Sequence, residues 1–155
     1  MLIQKLSSAV QPFTFQFGVV KREVMGGPYP AKPTEYLGIK MAAEIAMPCD
    51  INIPTRDFDV PNYTDLDTGI RKSLFNIAKG EKIWVGCMGG IGRTGLYFGA
   101  LAKLLNIDDP VKYVRANFKP HAIETKQQQE FVNNYKPSFS TKLTLAVAKA
   151  VALAY

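Results

Sequence analysis

A cysteine, an arginine and a threonine lie close together near the middle of the chain, at Cys87, Arg93 and Thr94. The five residues between Cys87 and Arg93 include three glycines, which let a backbone loop curl around an anion with its N–H groups pointing inward. At a helix N-terminus such a loop would bind phosphoryl oxygens and stabilise Cys87 as a nucleophilic thiolate. Arg93 adds a permanently charged fork for two oxygens, and the Thr94 hydroxyl can donate to the sulfur. The spacing therefore predicts phosphoryl-transfer chemistry on a cysteine.

Two other phosphate-binding glycine loops compete for the same stretch. A nucleotide-triphosphatase loop needs glycine where Cys87 stands and lysine where Arg93 stands, so that pattern fails at two positions. Residues 90–95 match the dinucleotide-binding fingerprint, which requires a second strand ending in a carboxylate about 20 residues further on. The chain at 111–118 has a helical pattern and ends without a carboxylate. Dinucleotide binding is therefore disfavoured.

The elements around the loop predict one α/β domain over residues 1–155, with strands early and helices late. A buried strand at 83–85 precedes the loop and an apolar helical pattern at 96–105 follows it. We therefore expect a central, mostly parallel sheet flanked by helices, with the loop between a central strand and a helix. Further strands are predicted at 13–20, ended by a turn at 25–30, and at 49–53, and helices at 33–46, 64–79, 110–117, 124–135 and from Ser140 to the end.

An exposed loop, two aspartates and a second cysteine lie between residues 49 and 67, ahead of the loop that begins at Cys87. Residues 54–61 are polar and bounded by prolines, which predicts an exposed loop of the kind that carries function. Asp65 and Asp67 lie near the start of the helix, where the macrodipole favours negative charge. Cys49 is expected to be a buried strand cysteine.

Composition limits the function classes. Two cysteines and one histidine are too few for a disulfide framework or a usual zinc site, so no metal and no cofactor are predicted. A net charge of +6 attracts anionic partners, but the basic residues are spread along the chain, which disfavours nucleic acid without excluding it. Because no run reaches the ~18 apolar residues of a membrane span and the first ten residues lack a secretory core, we expect a cytoplasmic protein.

Residues 85–95, Val-Gly-Cys-Met-Gly-Gly-Ile-Gly-Arg-Thr-Gly, closely resemble the signature loop of the protein tyrosine phosphatase superfamily. Two other segments resemble parts of that family. Residues 54–61 are similar to its general-acid loop, and residues 123–132 to its glutamine segment. The resemblance covers about residues 50 to 135, and the chain length is similar to that of the compact dual-specificity and atypical branch. It implies a phosphatase-like fold.

The resemblance implies a mechanism. Cys87 attacks phosphorus, Asp57 protonates the leaving oxygen, and water then hydrolyses the phosphocysteine with Asp57 as base and Gln128 positioning the water. Asp59 is the rival acid, although it could equally cap the turn at Pro61. Thr94 donates to the sulfur. The phosphate-binding residues implied are Met88, Gly89, Gly90, Ile91, Gly92 and Arg93.

The chain departs from the family at Gly86, where histidine ordinarily precedes the nucleophile and helps to tune the thiolate. A weakly active or inactive phosphate-binding module therefore stays an alternative, as does an RNA 5′-phosphatase. Family members that act on polyphosphoinositides tend to have extra lysines in this loop, and those that act on RNA 5′-triphosphate have a more polar loop. Arg93 is the only charged side chain here, so the resemblance favours a phosphorylated protein as substrate, with phosphotyrosine first and phosphoserine or phosphothreonine second. Lys119 and His121 precede the glutamine segment and are candidates to face the mouth of the site.

Overall fold

Five strands form one mixed sheet in which a parallel strand lies at the centre. The computed structural model describes residues 9–155, so the predicted features of residues 1–8 lie outside the described residues. The strands are β1 Gln11–Phe17, β2 Val20–Pro28, β3 Leu37–Ala42, β4 Ile51–Thr55 and β5 Ile83–Cys87. Their order is β1-β2-β5-β3-β4; β1 is antiparallel to β2 and every other neighbouring pair is parallel. The expected central, mostly parallel sheet is confirmed.

Helices occupy the later part of the chain, as predicted. They are α1 Tyr63–Ala78, α2 Gly92–Leu104, α3 Pro110–Asn117, α4 Lys126–Asn134 and α5 Phe139–Ala152. The helix α2 packs on β5 and β3, while α1 packs on β4 and against α5. The N-cap of α5 is Ser138, whose side chain accepts from the Thr141 N–H, and not Ser140 as predicted. None of the helices among the described residues has the length and apolar character needed to cross a bilayer.

The predicted helix at 33–46 is wrong, because the chain there forms β3 and a following turn. The strand β3 lies between β5 and β4 and is buried on both faces. A strand buried on both faces lacks the apolar–polar alternation that marks a half-buried strand, so its apolar run fitted a helical pattern equally well. Cys49 is half-buried and precedes β4, so the expectation of a buried strand cysteine is also wrong.

The predicted turn at 25–30 is wrong as well, since β2 continues through Gly26 and Gly27 to Pro28. These residues pair with β5 in parallel register, with Gly27 opposite Gly86 and Pro28 opposite Cys87. The predicted strand at 13–20 instead ends at Phe17 and turns at Gly18, whose φ is +64°. Glycine in β2 thus serves close packing against its neighbours and does not end the strand.

The side chain of Asp67 ties three elements together beneath the sheet. Asp67 is buried, and its carboxylate accepts from the Tyr135 hydroxyl at 2.7 Å, the Thr141 hydroxyl at 3.0 Å and the Ser138 N–H at 3.2 Å. Burial alone would raise the pKa of Asp67, but hydrogen bonds from Ser138, Tyr135 and Thr141 hold it below its usual value of 3.8. Asp67 therefore anchors α1 to the start of α5, whereas Asp65 occupies the first turn as predicted.

Replacement of Asp67 by Asn should lower the free energy of unfolding by about 2 kcal/mol at pH 7, because charge-assisted hydrogen bonds are lost. The difference in unfolding free energy between the variant and the wild type should have its full value above pH 3.8. It should shrink as the pH falls below 3.8 and disappear as the pH falls through the lowered pKa of Asp67. Urea unfolding at pH 3 to 7 measures this. The matched control is Asp65→Asn, which changes an exposed carboxylate and should alter stability by less than about 0.5 kcal/mol. Equal effects of the two substitutions would contradict the anchoring role.

Candidate active site

Cys87 is the last residue of β5, and its sulfur lies beneath the loop that leads to α2. The Gly90 N–H and the Thr94 hydroxyl each donate to Cys87 Sγ at 3.2 Å. Cys87 is buried, so these two donors act in an environment of low polarity, where they stabilise negative charge on sulfur more than they would in water. The structure thus brings Cys87 and Thr94 together.

The loop presents its outer residues to solvent and begins a helix. Met88 and Gly89 are exposed, Ile91 is half-buried and Gly90 is buried. Ile91 is the N-cap of α2 and offers no side-chain acceptor to the first amides of the helix. Those amides carry the positive end of the helix dipole, which favours an anionic ligand at this end of α2.

The Arg93 side chain is buried and held by three hydrogen bonds. Its side chain is 2% exposed, and Nη1 donates to the Thr55 carbonyl at 2.8 Å and to both carboxylate oxygens of Glu44. Nη2 lies 3.5 Å from Asp57 Oδ1. Sequence reasoning missed Glu44, which sits in the turn after β3 where a helix was predicted. No motif marks this residue, because only the tertiary fold brings position 44 to position 93.

The segment between β4 and α1 places Asp57, and not Asp59, next to Arg93. The Asp57 side chain is 61% exposed at the mouth of the site. Asp59 Oδ1 accepts from the Val60 N–H at 2.7 Å, and the Asp59 N–H donates to the Arg56 carbonyl at 3.0 Å. Asp59 therefore stabilises the turn before Pro61.

Gln128 is buried at the start of α4 with both ends of its carboxamide engaged. Its Nε2 donates to the Asp59 carbonyl at 3.0 Å, and its Oε1 accepts from the Thr125 N–H at 3.2 Å within a capping box. These bonds connect the glutamine segment to the loop that carries Asp57. The assignment of Gln128 to the hydrolytic water stays a prediction.

Lys119 and His121 differ sharply in position. Lys119 is 8% exposed, and its Nζ donates to the Gly90 carbonyl at 2.9 Å and to the Ala9 carbonyl. Lys119 therefore lies behind the loop, whereas His121 is exposed and lines a shallow cavity with Arg115 and Glu124.

Close backbone packing explains the glycine before the nucleophile. A Cβ added at Gly86 would lie 2.7 Å from Tyr29 Cα and 2.8 Å from the Gly27 oxygen. Gly90 has a φ of +71°, and a Cβ there would overlap the Gly27 backbone. The end of β2 therefore fills the space next to both glycines, and no side chain fits at position 86 without moving backbone.

Two curated relatives match part of the chain. Both are uncharacterized proteins of Methanocaldococcus jannaschii, 34% and 35% identical over 83 residues, which is 54% of this chain in each case. The chain spans 56% and 52% of their lengths, or about half of each relative. No family model matches the chain.

Solved structures share the fold. The active form of Tk-PTP superposes with a TM-score of 0.55 at 22% identity, covering 65% of this chain and 78% of that one. A mutant form of Tk-PTP superposes with a TM-score of 0.60 at 18% identity, covering 87% of this chain and 97% of that one. PTPMT1 in complex with PI(5)P superposes with a TM-score of 0.54 at 19% identity, covering 83% of this chain and 94% of that one. The chain therefore shares the fold of Tk-PTP and PTPMT1.

Proposed function

We propose that this protein is a cysteine-dependent phosphatase that hydrolyses phosphotyrosine, and secondarily phosphoserine or phosphothreonine, in proteins. The observation that carries the proposal is the grouping of Cys87, Arg93 and Asp57. A buried sulfur with two hydrogen-bond donors and a buried guanidinium lie at the two ends of the same loop, and an exposed carboxylate lies 3.5 Å from that guanidinium. This grouping supplies a nucleophile, an anion-binding cation and a proton donor.

In the first step, the Cys87 thiolate forms a bond to phosphorus while the bond from phosphorus to the leaving oxygen breaks. The electron pair of that bond goes to the leaving oxygen, which takes the proton of the Asp57 carboxyl group. The amides of residues 88–93 and the Arg93 guanidinium hold the three remaining oxygens, whose charge they stabilise in the transition state. The product is a phosphocysteine and a free hydroxyl group.

In the second step, water attacks the phosphocysteine and Asp57 accepts one of its protons. A new phosphorus–oxygen bond forms, and the phosphorus–sulfur bond breaks with its electrons returning to Cys87. The hydrogen bond from Thr94 stabilises the departing thiolate. Gln128 supports this step through Asp59, because its carboxamide fixes the loop that carries Asp57.

Glu44 supports substrate binding by orienting Arg93. The contacts of Nη1 with Glu44 and Thr55 occupy one side of the guanidinium and leave its other donors for the phosphate. An arginine whose orientation is already fixed stabilises the transition state more, because its side chain does not have to be ordered during the reaction.

The rim of the site favours an aryl substrate. Phe58 follows Asp57 and is 58% exposed, and Met88 follows Cys87 and is 52% exposed. These exposed apolar side chains, adjacent in sequence to Asp57 and Cys87, can pack against the ring of phosphotyrosine, which a phosphoserine side chain lacks. A tyrosine substrate is therefore preferred over serine or threonine.

This preference predicts the result for Phe58→Ala. The kcat/KM for a phosphotyrosine peptide should fall about five- to tenfold through loss of ring packing, and that for the matching phosphoserine peptide should change less than about twofold. Steady-state kinetics on both peptides measures the two changes. Phe139→Ala removes another exposed aromatic ring, on α5, and serves as the control. An equal loss on both peptides would contradict the aryl preference.

Turnover itself tests the proposed function. The wild-type protein should hydrolyse an aryl phosphate and a phosphotyrosine peptide between pH 5 and 8, releasing inorganic phosphate. A folded protein that binds the peptide without turnover would instead identify a phosphate-binding module. Faster release from a 5′-triphosphorylated RNA than from the peptide would instead identify an RNA phosphatase.

A further inference from the structure

Position 86 cannot carry the side chain that the family resemblance leads one to expect there. The backbone of residues 27–29 fills the space next to Gly86 and Gly90, and a Cβ at either glycine would collide with it. A side chain attached at position 86 therefore cannot assist the Cys87 thiolate in this protein. Assistance has to come from another part of the chain.

Lys119 approaches the loop from behind. It lies between α3 and α4, and its ammonium group donates to the carbonyl of Gly90 at 2.9 Å and to the carbonyl of Ala9. The ammonium also lies 5.0 Å from the centre of the Phe118 ring. These contacts fix a buried cation at Gly90, the residue whose N–H donates to Cys87 Sγ.

The other charged groups near the sulfur are already paired or lie on the outer side of the loop. Arg93 is neutralised in part by Glu44 and Asp57, and the Glu124 carboxylate packs over Gly92. Lys119 makes no ion pair with any carboxylate in the part of the chain that the structure describes. Its positive charge is therefore free to act on the sulfur.

We propose that Lys119 is a positioning residue that stabilises the Cys87 thiolate in place of a side chain at position 86. It acts in two ways, by holding Gly90 so that its N–H points at the sulfur and by placing a buried positive charge behind the loop. Burial lowers the pKa of Lys119, and the attraction of Cys87 opposes that decrease.

The test is the pH dependence of the rate at which iodoacetamide alkylates Cys87. All variants carry Cys49→Ser, so that Cys87 is the one thiol that reacts. Lys119→Met should move the midpoint of the rate–pH profile upward by about one pH unit and slow alkylation at neutral pH about tenfold. Lys119→Gln keeps a hydrogen-bond donor without the charge and should show most of the same shift. Lys119→Arg keeps the charge and should restore most of the reactivity.

Lys32→Met is the matched control. Lys32 is also a partly buried lysine whose ammonium donates to two backbone carbonyls, those of Pro33 and Tyr36, and its loss should leave the alkylation midpoint unchanged. Thermal unfolding of every variant identifies any that fail to fold. If Lys119→Met unfolds, the Gln and Arg variants decide the outcome.

An unchanged midpoint in folded Lys119→Gln and Lys119→Met would overturn the proposal. A shift in Lys119→Met with none in Lys119→Gln would reduce the role to the hydrogen bond with Gly90 and would overturn the part played by charge. The proposal rests on the proposed function for its relevance to catalysis. The alkylation readout needs no turnover, so an inactive protein with a lysine-dependent thiol would refute the phosphatase proposal and leave the role of Lys119 intact.

Discussion

Replacement of Cys87 by Ser should abolish hydrolysis of both aryl phosphate and phosphotyrosine peptide, with a loss of about 10⁴-fold or more in kcat. A serine hydroxyl in the same place stays protonated at neutral pH, and the two donors that stabilise a thiolate cannot make it a comparable nucleophile. Steady-state assays of phosphate release measure the loss. Because Arg93 and the loop amides remain, the variant should still bind the phosphotyrosine peptide in a calorimetric titration.

The two cysteines of the chain provide a matched pair for this experiment. Cys49 is free and half-buried outside the site, so Cys49→Ser should retain wild-type kcat. Activity that survives Cys87→Ser would rule out the thiolate mechanism, and loss of both hydrolysis and peptide binding would show that the substitution had damaged the loop rather than the chemistry.

The second large effect concerns the proton donor. Asp57→Asn should lower kcat for a phosphopeptide by about 10²- to 10³-fold, because the expelled alkoxide or phenolate is a poor leaving group without a proton. An aryl phosphate with an electron-poor phenol needs little protonation, so its kcat should fall less than about tenfold. The same substitution removes an ion pair with Arg93, but any resulting change in binding should be the same for both substrates, because both present the same phosphate to Arg93. The ratio of the two kcat losses therefore isolates proton transfer.

Asp59→Asn is the control for the neighbouring carboxylate. Asp59 accepts from the Val60 N–H and, among the described residues, forms no ion pair with Arg93, so its replacement should alter kcat less than about threefold and act mainly on stability. A larger leaving-group dependence in Asp59→Asn than in Asp57→Asn would reassign the acid.

The parts of the site that sequence reasoning could find are those encoded locally. The loop from Cys87 to Thr94 joins a strand to a helix, and the residue types that mark it lie within ten positions of one another, so both the loop and the order of elements around it were predictable. The exposed loop with Asp57 was predictable for the same reason, since prolines bound it and its polar residues exclude it from the core.

Contacts between distant segments could not be read from residue patterns. Glu44 reaches Arg93 because β3, which precedes Glu44, and β5, which precedes Arg93, are parallel neighbours in the sheet, and the predicted helix at 33–46 concealed this placement. The sequence placed Asp67 in the first turn of the helix, where the positive end of the helix dipole favours acidic residues. That reasoning uses only the distance from the helix start and does not show whether the side chain is buried. Its three hydrogen bonds depend on how the end of α4 and the start of α5 pack against α1.

The contact between the end of β2 and the residues around Cys87 also determines when the site can form during folding. Gly27 meets Gly86 and Gly90 through backbone atoms, at positions separated by roughly sixty residues, and such non-local contacts close late along a folding route. The loop from Cys87 to Thr94 is therefore not a local element that the strand and helix could assemble alone. It takes its shape from the docked hairpin of β1 and β2, so that Cys87 acquires its surroundings only when the early half of the chain has paired with the later half.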